Sequence, residues 1–548
     1  MKIVLGLCVA VLLAISQRAE ACGCFAPPST VEPIVQAGER ILFSVKDGKV
    51  TAHIQIQYSG EAKDFGWLLP LPSVPTLKLG SDELFTRLGS TTQPKFITTQ
   101  TIGTRCSRSA GGFGCGANAP RAVLENVQRE GGPQDAGTST PVVTVSSIGP
   151  YDYAVLRADD KTAMLQWLND NRYFVPGGTD GAVGPYIRPG AYFLALKLKS
   201  GASTGDVTPI VLEYPSQLPM IPLILTSVGA TPNMGVQVYL LGEGRGIPRN
   251  FHHVVLNDAR LDWLNGATNY SALVTAAVAE APQKHAFITE YAGSSSVMVD
   301  QLAPPGRFGT EQELAAVTSP EAFVAKLFEK NFSVDNKLPS PVIRLVLSNV
   351  PYPQGLASRN ISEDEFINRL GYYLGEYRAQ NPDLFVGYTT TFDAPTLAQQ
   401  VFDQYVARMR ETNALFTEYP KLTRLITTLS PEDMTEDPVF SFNPALADVG
   451  LEHNGKVVMN CGSSDVETAQ GWKIQDVSIN GQISQDMPAA LRVETLSEEG
   501  QPIVVTDNKE TISTKLTPSA IAAPSTGCST VDPMSLGLLA LMWLRRRR

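Results

Sequence analysis

The sequence predicts an α+β protein. It has a β-rich N-terminal region of sandwich-like antiparallel sheets, a helical middle region, and a return to β-strands before a flexible C-terminal stalk. Three observations carry this prediction. Val50, Ala52, Ile54, Ile56 and Tyr58 alternate with Thr51, His53, Gln55 and Gln57, the period of two expected of a strand with one covered face. Between 310 and 435 the period lengthens, and Leu397, Val401, Tyr405 and Met409 recur every four residues, as on one side of a helix. Beyond 451 alternation returns, with Asn480-Gly481 as a hairpin pair.

The first element is a signal peptide over residues 1–21. Lys2 supplies a basic start, Ile3 to Ile15 an apolar run, and Ala19 and Ala21 the small residues needed for cleavage after Ala21. The run is too short for a stable membrane span. Residues 22–300 form the β-rich domain. Asp47-Gly48 makes a tight turn, so Ile41–Lys46 pairs with the alternating strand in a hairpin. In that arrangement His53 lies on the polar, solvent face. Pro70, Pro72 and Pro75 mark an extended edge segment after Trp67-Leu68-Leu69. Residues 127–142 read as a mobile Gly- and Pro-rich insertion. PVVTVSSIG, FLALKLKSG, TPIVLEYP, IPLILTSV and MGVQVYLLG are further strands, and DDKTAMLQWLND a helix starting near Asp159 or Asp160.

Residues 301–450 are mainly helical. Ser319-Pro320-Glu321, Ser362 with Glu365, Ala394-Pro395 and Ser430-Pro431-Glu432 all read as helix starts. Residues 451–508 form a β-hairpin region, and 509–527, short-side-chained and broken by proline, a stalk. The tail, 528–548, has eleven apolar-rich residues from Met534 to Leu544, then Arg545, Arg546, Arg547 and Arg548. As a helix the run is about 16 Å long, against the roughly 30 Å of a bilayer core. It suits a temporary hydrophobic tail that a lipid replaces, with a marginal single span as the alternative.

The net charge of −10 becomes more negative once the ends are set aside, because the tail alone holds four arginines. An acidic body argues against nucleic acid as partner. The cysteines fit an oxidising compartment, where bridges are expected before metal ligands. Cys106 and Cys115 flank a glycine-rich loop that closes easily. Cys22 and Cys24 are too close to pair with each other, so one of them is expected to reach Cys461. Cys24 takes that place if Cys22, at the mature terminus, is the odd thiol.

No nucleophile elbow, zinc helix or dinucleotide loop occurs, and Gly242, Gly244 and Gly246 read as a loop. His252 and His253 face opposite sides of a strand and cannot share a metal. His285 and Glu290 are read as structural before catalytic, and Asp170 and Asp180 give only a thin calcium pattern. No catalytic, cofactor or metal residue is assigned from these patterns, and enzyme activity stays an open question.

Two resemblances add to this reading. Gly527-Cys528, the apolar run and the four arginines resemble the MYXO-CTERM sorting signal of myxobacteria and related Gram-negative bacteria. That resemblance implies cleavage beside Cys528, lipid on its sulfur, and display on the outer membrane at the cell surface. The partners it implies are a signal peptidase, a sorting protease and the membrane. In the body, ACGCF, GERILFSV, HIQIQYSGEAKDFGWLLPLPSVP, VGPYIRPGAYFLALKLKSG and FITEYAG resemble the domain of unknown function 2330 family over residues 22–300. It implies a secreted domain and transfers no activity. The expected function is therefore that of an exported, surface-anchored binding or structural protein with an extracellular ligand. A surface hydrolase acting on extracellular polymer is the second class, since catalytic sites are assembled in space.

A reductant should lower the melting temperature by removing about 2–3 kcal/mol supplied by the Cys106–Cys115 loop. Calorimetry with both thiols shown to be reduced checks this, and an unchanged melting point excludes the bridge.

Overall fold

The computed structural model describes residues 37–56, 66–103, 141–173, 179–199, 207–477 and 486–516. Strands β1 (Ala37–Lys46) and β2 (Lys49–Ile56) form the expected hairpin. Asp47 and Gly48 sit at φ 52° and 72°, the left-handed pair that a two-residue turn of matching twist requires. Then follow β3 (Gly66–Leu71), β4 (Thr76–Leu79), α1 (Asp82–Thr92), β5 (Lys95–Ile102), β6 (Val142–Ile148) and β7 (Tyr151–Arg157). Helix α2 (Lys161–Asp170) starts at Asp160, whose carboxylate accepts from the Ala163 amide. After it come β8 (Tyr192–Leu198), β9 (Ile210–Pro215), β10 (Met234–Gly242), β11 (Arg245–Pro248), β12 (His252–Leu256), α3 (Tyr270–Ala279) and β13 (Ala286–Ser294).

The helical middle contains α4 (Pro320–Glu329), α5 (Ser340–Leu347), α6 (Glu363–Asn368), α7 (Ala394–Val401) and α8 (Ala407–Glu418). A π-helical turn over Phe402–Val406 joins the last two. Ser319 and Ser362 cap their helices as expected, each accepting a backbone amide three residues on. The chain then returns to strands: β14 (Lys421–Leu429), β15 (Phe440–Asn443), β16 (Glu452–Met459), β17 (Ser464–Glu467), β18 (Lys473–Val477), β19 (Ala490–Thr495) and β20 (Ile503–Asp507). Helix α9 (Lys509–Leu516) is the last described element.

Ten strands make one mixed sheet in the order β20-β19-β12-β13-β14-β10-β1-β2-β9-β4. Its pairs are mostly antiparallel, with β1·β10 and β12·β13 parallel. A four-stranded sheet, β3-β8-β7-β6, packs on one face. Leu69, Leu71, Val155, Leu194 and Leu196 meet Ile41, Phe43, Val238 and Leu240 of the large sheet there. This is the sandwich the alternating sequence predicts. The outer face of the small sheet is covered in turn, as Met164 and Leu168 of α2 pack on Ala154, Leu156 and Phe193. On the opposite face of the large sheet lie α1 and the helical middle, gathered around Leu42, Tyr239 and Leu422. Helix α3 extends that layer over Val254, Ile288 and Ile426, with Val457 and Val466 from a further sheet, β18-β17-β16-β5.

The layering overturns three expectations. His53 is buried, 5 % exposed, and not on a solvent face. Both faces of β2 are covered, and its polar side looks into the interface beneath the helical layer. Segment 310–435 is mainly helical as expected, and Lys421–Leu429 within it is β14, wedged between β10 and β13. IPLILTSV is not a strand: Leu223–Thr226 form one helical turn after Pro222, a short apolar run being ambiguous between the two periods. The predicted stalk also starts late, since Lys509–Leu516 is a helix whose Ile512 packs against Ala259 and Met487. Residues 517–527 and residues 127–140 of the expected insertion lie outside the described residues, as do Asn480 and Gly481, while Val142 already belongs to β6. At the sheet margin β20 shows Ile503, Val504 and Val505 to solvent.

Buried titratable groups on β1 and β2 give the stability a worked pH dependence. Burial raises the Glu39 carboxyl to about 7, and its Oε2 has no hydrogen-bond partner. Its contribution is complete below the ordinary carboxylate range and drains away as pH rises to about 7. Burial lowers His53 to about 4, so its contribution is complete above the ordinary histidine value and is lost as pH falls toward 4. Glu39→Gln should stabilise the fold by up to about 3 kcal/mol at about pH 8 and far less near pH 4. Urea unfolding across that range checks it; equal gains at both ends would contradict the buried ionised carboxylate.

Candidate binding cleft

A cleft of about 670 Å³ opens where the start of α1 meets the helical layer. Helix α1 begins there because Ser81 is extended (φ −136°) and its hydroxyl accepts the Glu83 amide at 3.2 Å. Asp82 and Glu83 fill the first turn, where the helix dipole favours carboxylates. The two diverge. Glu83 turns inward, is 4 % exposed, and is fully engaged. Arg307 donates to it twice, Nη1 at 2.6 Å and Nη2 at 2.9 Å. Tyr405 Oη donates at 3.2 Å and Arg87 Nε at 3.3 Å. Burial and the adjacent Glu83 charge hold the Tyr405 phenol far above its ordinary range.

Asp82 faces the cleft. It is reached by solvent, yet walled on enough sides that desolvation raises its pKa against the opposing pull of Gln55 and Arg40. Gln55 Nε2 donates to its Oδ1 at 2.6 Å. The facing wall starts with a two-residue hairpin. Val334 and Lys337 exchange backbone bonds of 2.8 and 2.9 Å, around Asp335 and Asn336 at φ 48° and 61°. That turn lifts the Lys337 ammonium to the surface, where it makes no ion pair among the described residues. Asn368 staples the hairpin to α6: its Oδ1 accepts the Leu338 amide at 2.7 Å and its Nδ2 donates to the Asp364 carbonyl at 2.8 Å. Glu365 accepts from Tyr373 Oη at 2.5 Å and lies 3.7 Å from Arg369. The cleft therefore offers hydroxyls, amides and charges of both signs beside an apolar strip of Val334, Leu338, Pro339 and Pro341, chemistry suited to a ligand that hydrogen-bonds along one side.

The sequence reading did not single out Asp82, Lys337 or Arg307. The signal for α1 was present: Ser81 precedes two acids and then Leu84, Phe85 and Leu88 at helical spacing. The residues it did single out are scattered. Cys461 is exposed and has no disulfide partner among the described residues. Cys24, Cys106, Cys115, Cys528, Ala21 and Arg545 to Arg548 lie outside the described residues. His285 and Glu290 do not meet. His285 stacks on Phe251 at 4.6 Å and its Nε2 contacts the Asp433 carbonyl at 3.1 Å. Glu290 binds Tyr270 and Arg424. His252 and His253 point to opposite sides as expected: His252 Nδ1 is 3.5 Å from Thr495 Oγ1, while His253 reaches Glu494. Asp180 is paired with Lys161 at 3.0 Å. Among the described residues no group of three or more His, Cys, Asp or Glu side chains is placed to hold a metal, and no helix is long and apolar enough to cross a membrane. Gly242 and Gly244 allow close approach, since a Cβ there would stand 2.4 Å from the Phe442 ring and 2.7 Å from Pro444 N.

The molecule is thus a mixed α and β protein in which a broad sheet carries a second sheet on one face and helices on the other. The chain belongs to the DUF2330 family, described as an uncharacterized protein conserved in bacteria, whose model matches residues 17–332. The match takes in Asp82 and Glu83 of the cleft, and Arg307 behind Glu83, and stops before the 334–341 and 362–369 walls. No curated protein matches the chain. No solved structure matches it.

Arg307→Met should cost about 3–5 kcal/mol, because Glu83 is left buried without its main partner. Adding Glu83→Gln should return part of that loss. Chemical denaturation of the two variants checks both; a loss below about 1 kcal/mol would show the pair to be dispensable.

Proposed function

We propose that this is an exported, surface-anchored binding protein that holds a small hydrogen-bonding ligand in the cleft beside Asp82. The N-terminal signal ending at Ala21 supports export. The tail with Cys528 and its four arginines, resembling the MYXO-CTERM signal, supports cleavage by a sorting protease and attachment to the outer membrane through lipid on Cys528. The acidic composition suits the exterior and disfavours nucleic acid.

The cleft carries the binding reading. Its volume falls in the range of small-molecule sites. Its Asp82 carboxylate and Lys337 ammonium stand at opposite walls, so a ligand with hydroxyl or amide groups satisfies both. A sugar-like, polyhydroxylated molecule fits this better than an apolar one.

Calorimetry of the full chain against a panel of oligosaccharides tests the proposal. Asp82→Asn should weaken the ligand that binds by about tenfold or more, the cost of one charge-assisted hydrogen bond. Binding unaffected by that change, or none across the panel, rejects the cleft. In parallel, Cys528→Ala should lose its place in the outer-membrane fraction; retention on the surface rejects the anchor.

A further inference from the structure

On the opposite face of the large sheet lies a second constellation, and it does not depend on the cleft reading. Side chains alternate across a strand. Thr289 is in register with Leu425, which belongs to the sheet-on-sheet core, so Thr289 points away from the helical layer. His253 lies across from both Phe287 and Glu494. These registers bring three groups into line. His253 Nδ1 is 3.2 Å from Glu494 Oε2, and its Nε2 is 3.0 Å from Thr289 Oγ1. His253 and Glu494 are buried, 5 % and 4 % exposed, while Thr289 is half-buried.

The hydrogen-bond chemistry gives this line a direction. Glu494 is an acceptor, so Nδ1 carries the proton and Nε2 is left as the acceptor for the Thr289 hydroxyl. A hydroxyl bonded to a neutral imidazole whose far nitrogen is oriented by a carboxylate is an activated nucleophile. Arg245 stands beside it. Its Nη2 donates to Thr289 Oγ1 at 2.9 Å and lies 3.3 Å from His253 Nε2, and Nη1 is held by the Ala447 carbonyl at 3.1 Å. Arg245 Nε, on the same edge of the guanidinium as Nη2, has no hydrogen-bond partner. Bulges fall directly after Thr289 and between Val493 and Glu494. Such irregularities re-aim side chains and concentrate near active sites. Burial, joined by the Arg245 charge, lowers the His253 imidazole below its ordinary value against the pull of Glu494, which favours the neutral ring.

We propose that Thr289, His253 and Arg245 form an acyl-transfer site for carboxylic esters, with Glu494 as a positioning residue. As Thr289 Oγ attacks the ester carbonyl carbon, its proton passes to His253 Nε2 and the carbonyl electron pair moves onto oxygen. Arg245, already donating to Thr289 Oγ1 through Nη2 and with its Nε–H unpartnered among the described residues, supplies the donors for that charge. The C–O bond to the alcohol breaks, and the alcohol leaves with the proton from His253. Water repeats the sequence on the threonyl ester, releasing the acid and restoring Thr289.

The test uses the full chain and p-nitrophenyl acetate. Peptide mapping of the folded protein after brief exposure should find acetyl on Thr289, with release of nitrophenol. Thr289→Val, nearly equal in shape, should remove the adduct and lower hydrolysis by about 10²–10⁴-fold, whereas Thr289→Ser should retain both. Absence of the adduct from folded wild-type protein overturns the proposal whether or not the valine variant folds. So does hydrolysis unchanged by Thr289→Val.

Discussion

A guanidinium in the interior of a protein has to be met on every side, and the large sheet is arranged around meeting that of Arg424. The residue is 2 % exposed on the central strand β14. Its Nε donates to Glu290 Oε2 at 2.6 Å, and its Nη1 donates to the Gly89 carbonyl at 3.0 Å. In the amide orientation that satisfies both groups, the Gln237 oxygen accepts from Nη2 at 2.6 Å and Gln237 donates to Tyr239. Tyr270 Oη completes the Glu290 shell at 2.7 Å. One cation thus ties together β14, β13, β10, α1 and α3. Burial disfavours the charge, but Glu290 and the two tyrosines more than offset it and hold the guanidinium above its ordinary range. Losing either partner of such a pair costs about 3–5 kcal/mol. A well-packed apolar replacement of the same volume need cost far less, so the network does more to dictate which strands meet than to add net stability.

That constraint accounts for the polar side of β2. Arg40 is in register with Gln55 and Gln237, and Leu42 with His53 and Tyr239. The row beneath α1 is polar because it leads to Arg424 and to Asp82, where the layer opens into the cleft. The interface that holds the fold therefore runs up to the edge of the proposed binding site, where Gln55 donates to Asp82. Glu83 and Arg307 play the same part on the helical side, fixing the 302–308 segment against α1.

Much of this was legible in the letters, and the failures share a cause. The β1–β2 turn, the α2 start at Asp160 and the caps at Ser319 and Ser362 are local devices, and local devices can be read. His53 was misplaced because alternation reports two unlike faces without saying that the polar one meets water. β14 was missed because KLTRLITTL follows directly on a helix, and only its sheet neighbours show what its threonines and isoleucine are for. The cleft and the Thr289 constellation join residues more than two hundred positions apart, as in His253 with Glu494 or Glu83 with Arg307. Spacing along a chain carries no trace of such pairs.

Helix α9 has a mechanical meaning. Strand β20 follows β19 as the sheet's margin, and tension drawn through residue 516 would open that hairpin one hydrogen bond at a time if nothing intervened. Ile512 intervenes: it is lodged against Ala259 and Met487, beside the start of β19, and Asn508 holds the Ala490 and Leu491 carbonyls. A load therefore has to dislodge a packed side chain before it reaches the first rung of the ladder, which turns a zipper into a latch.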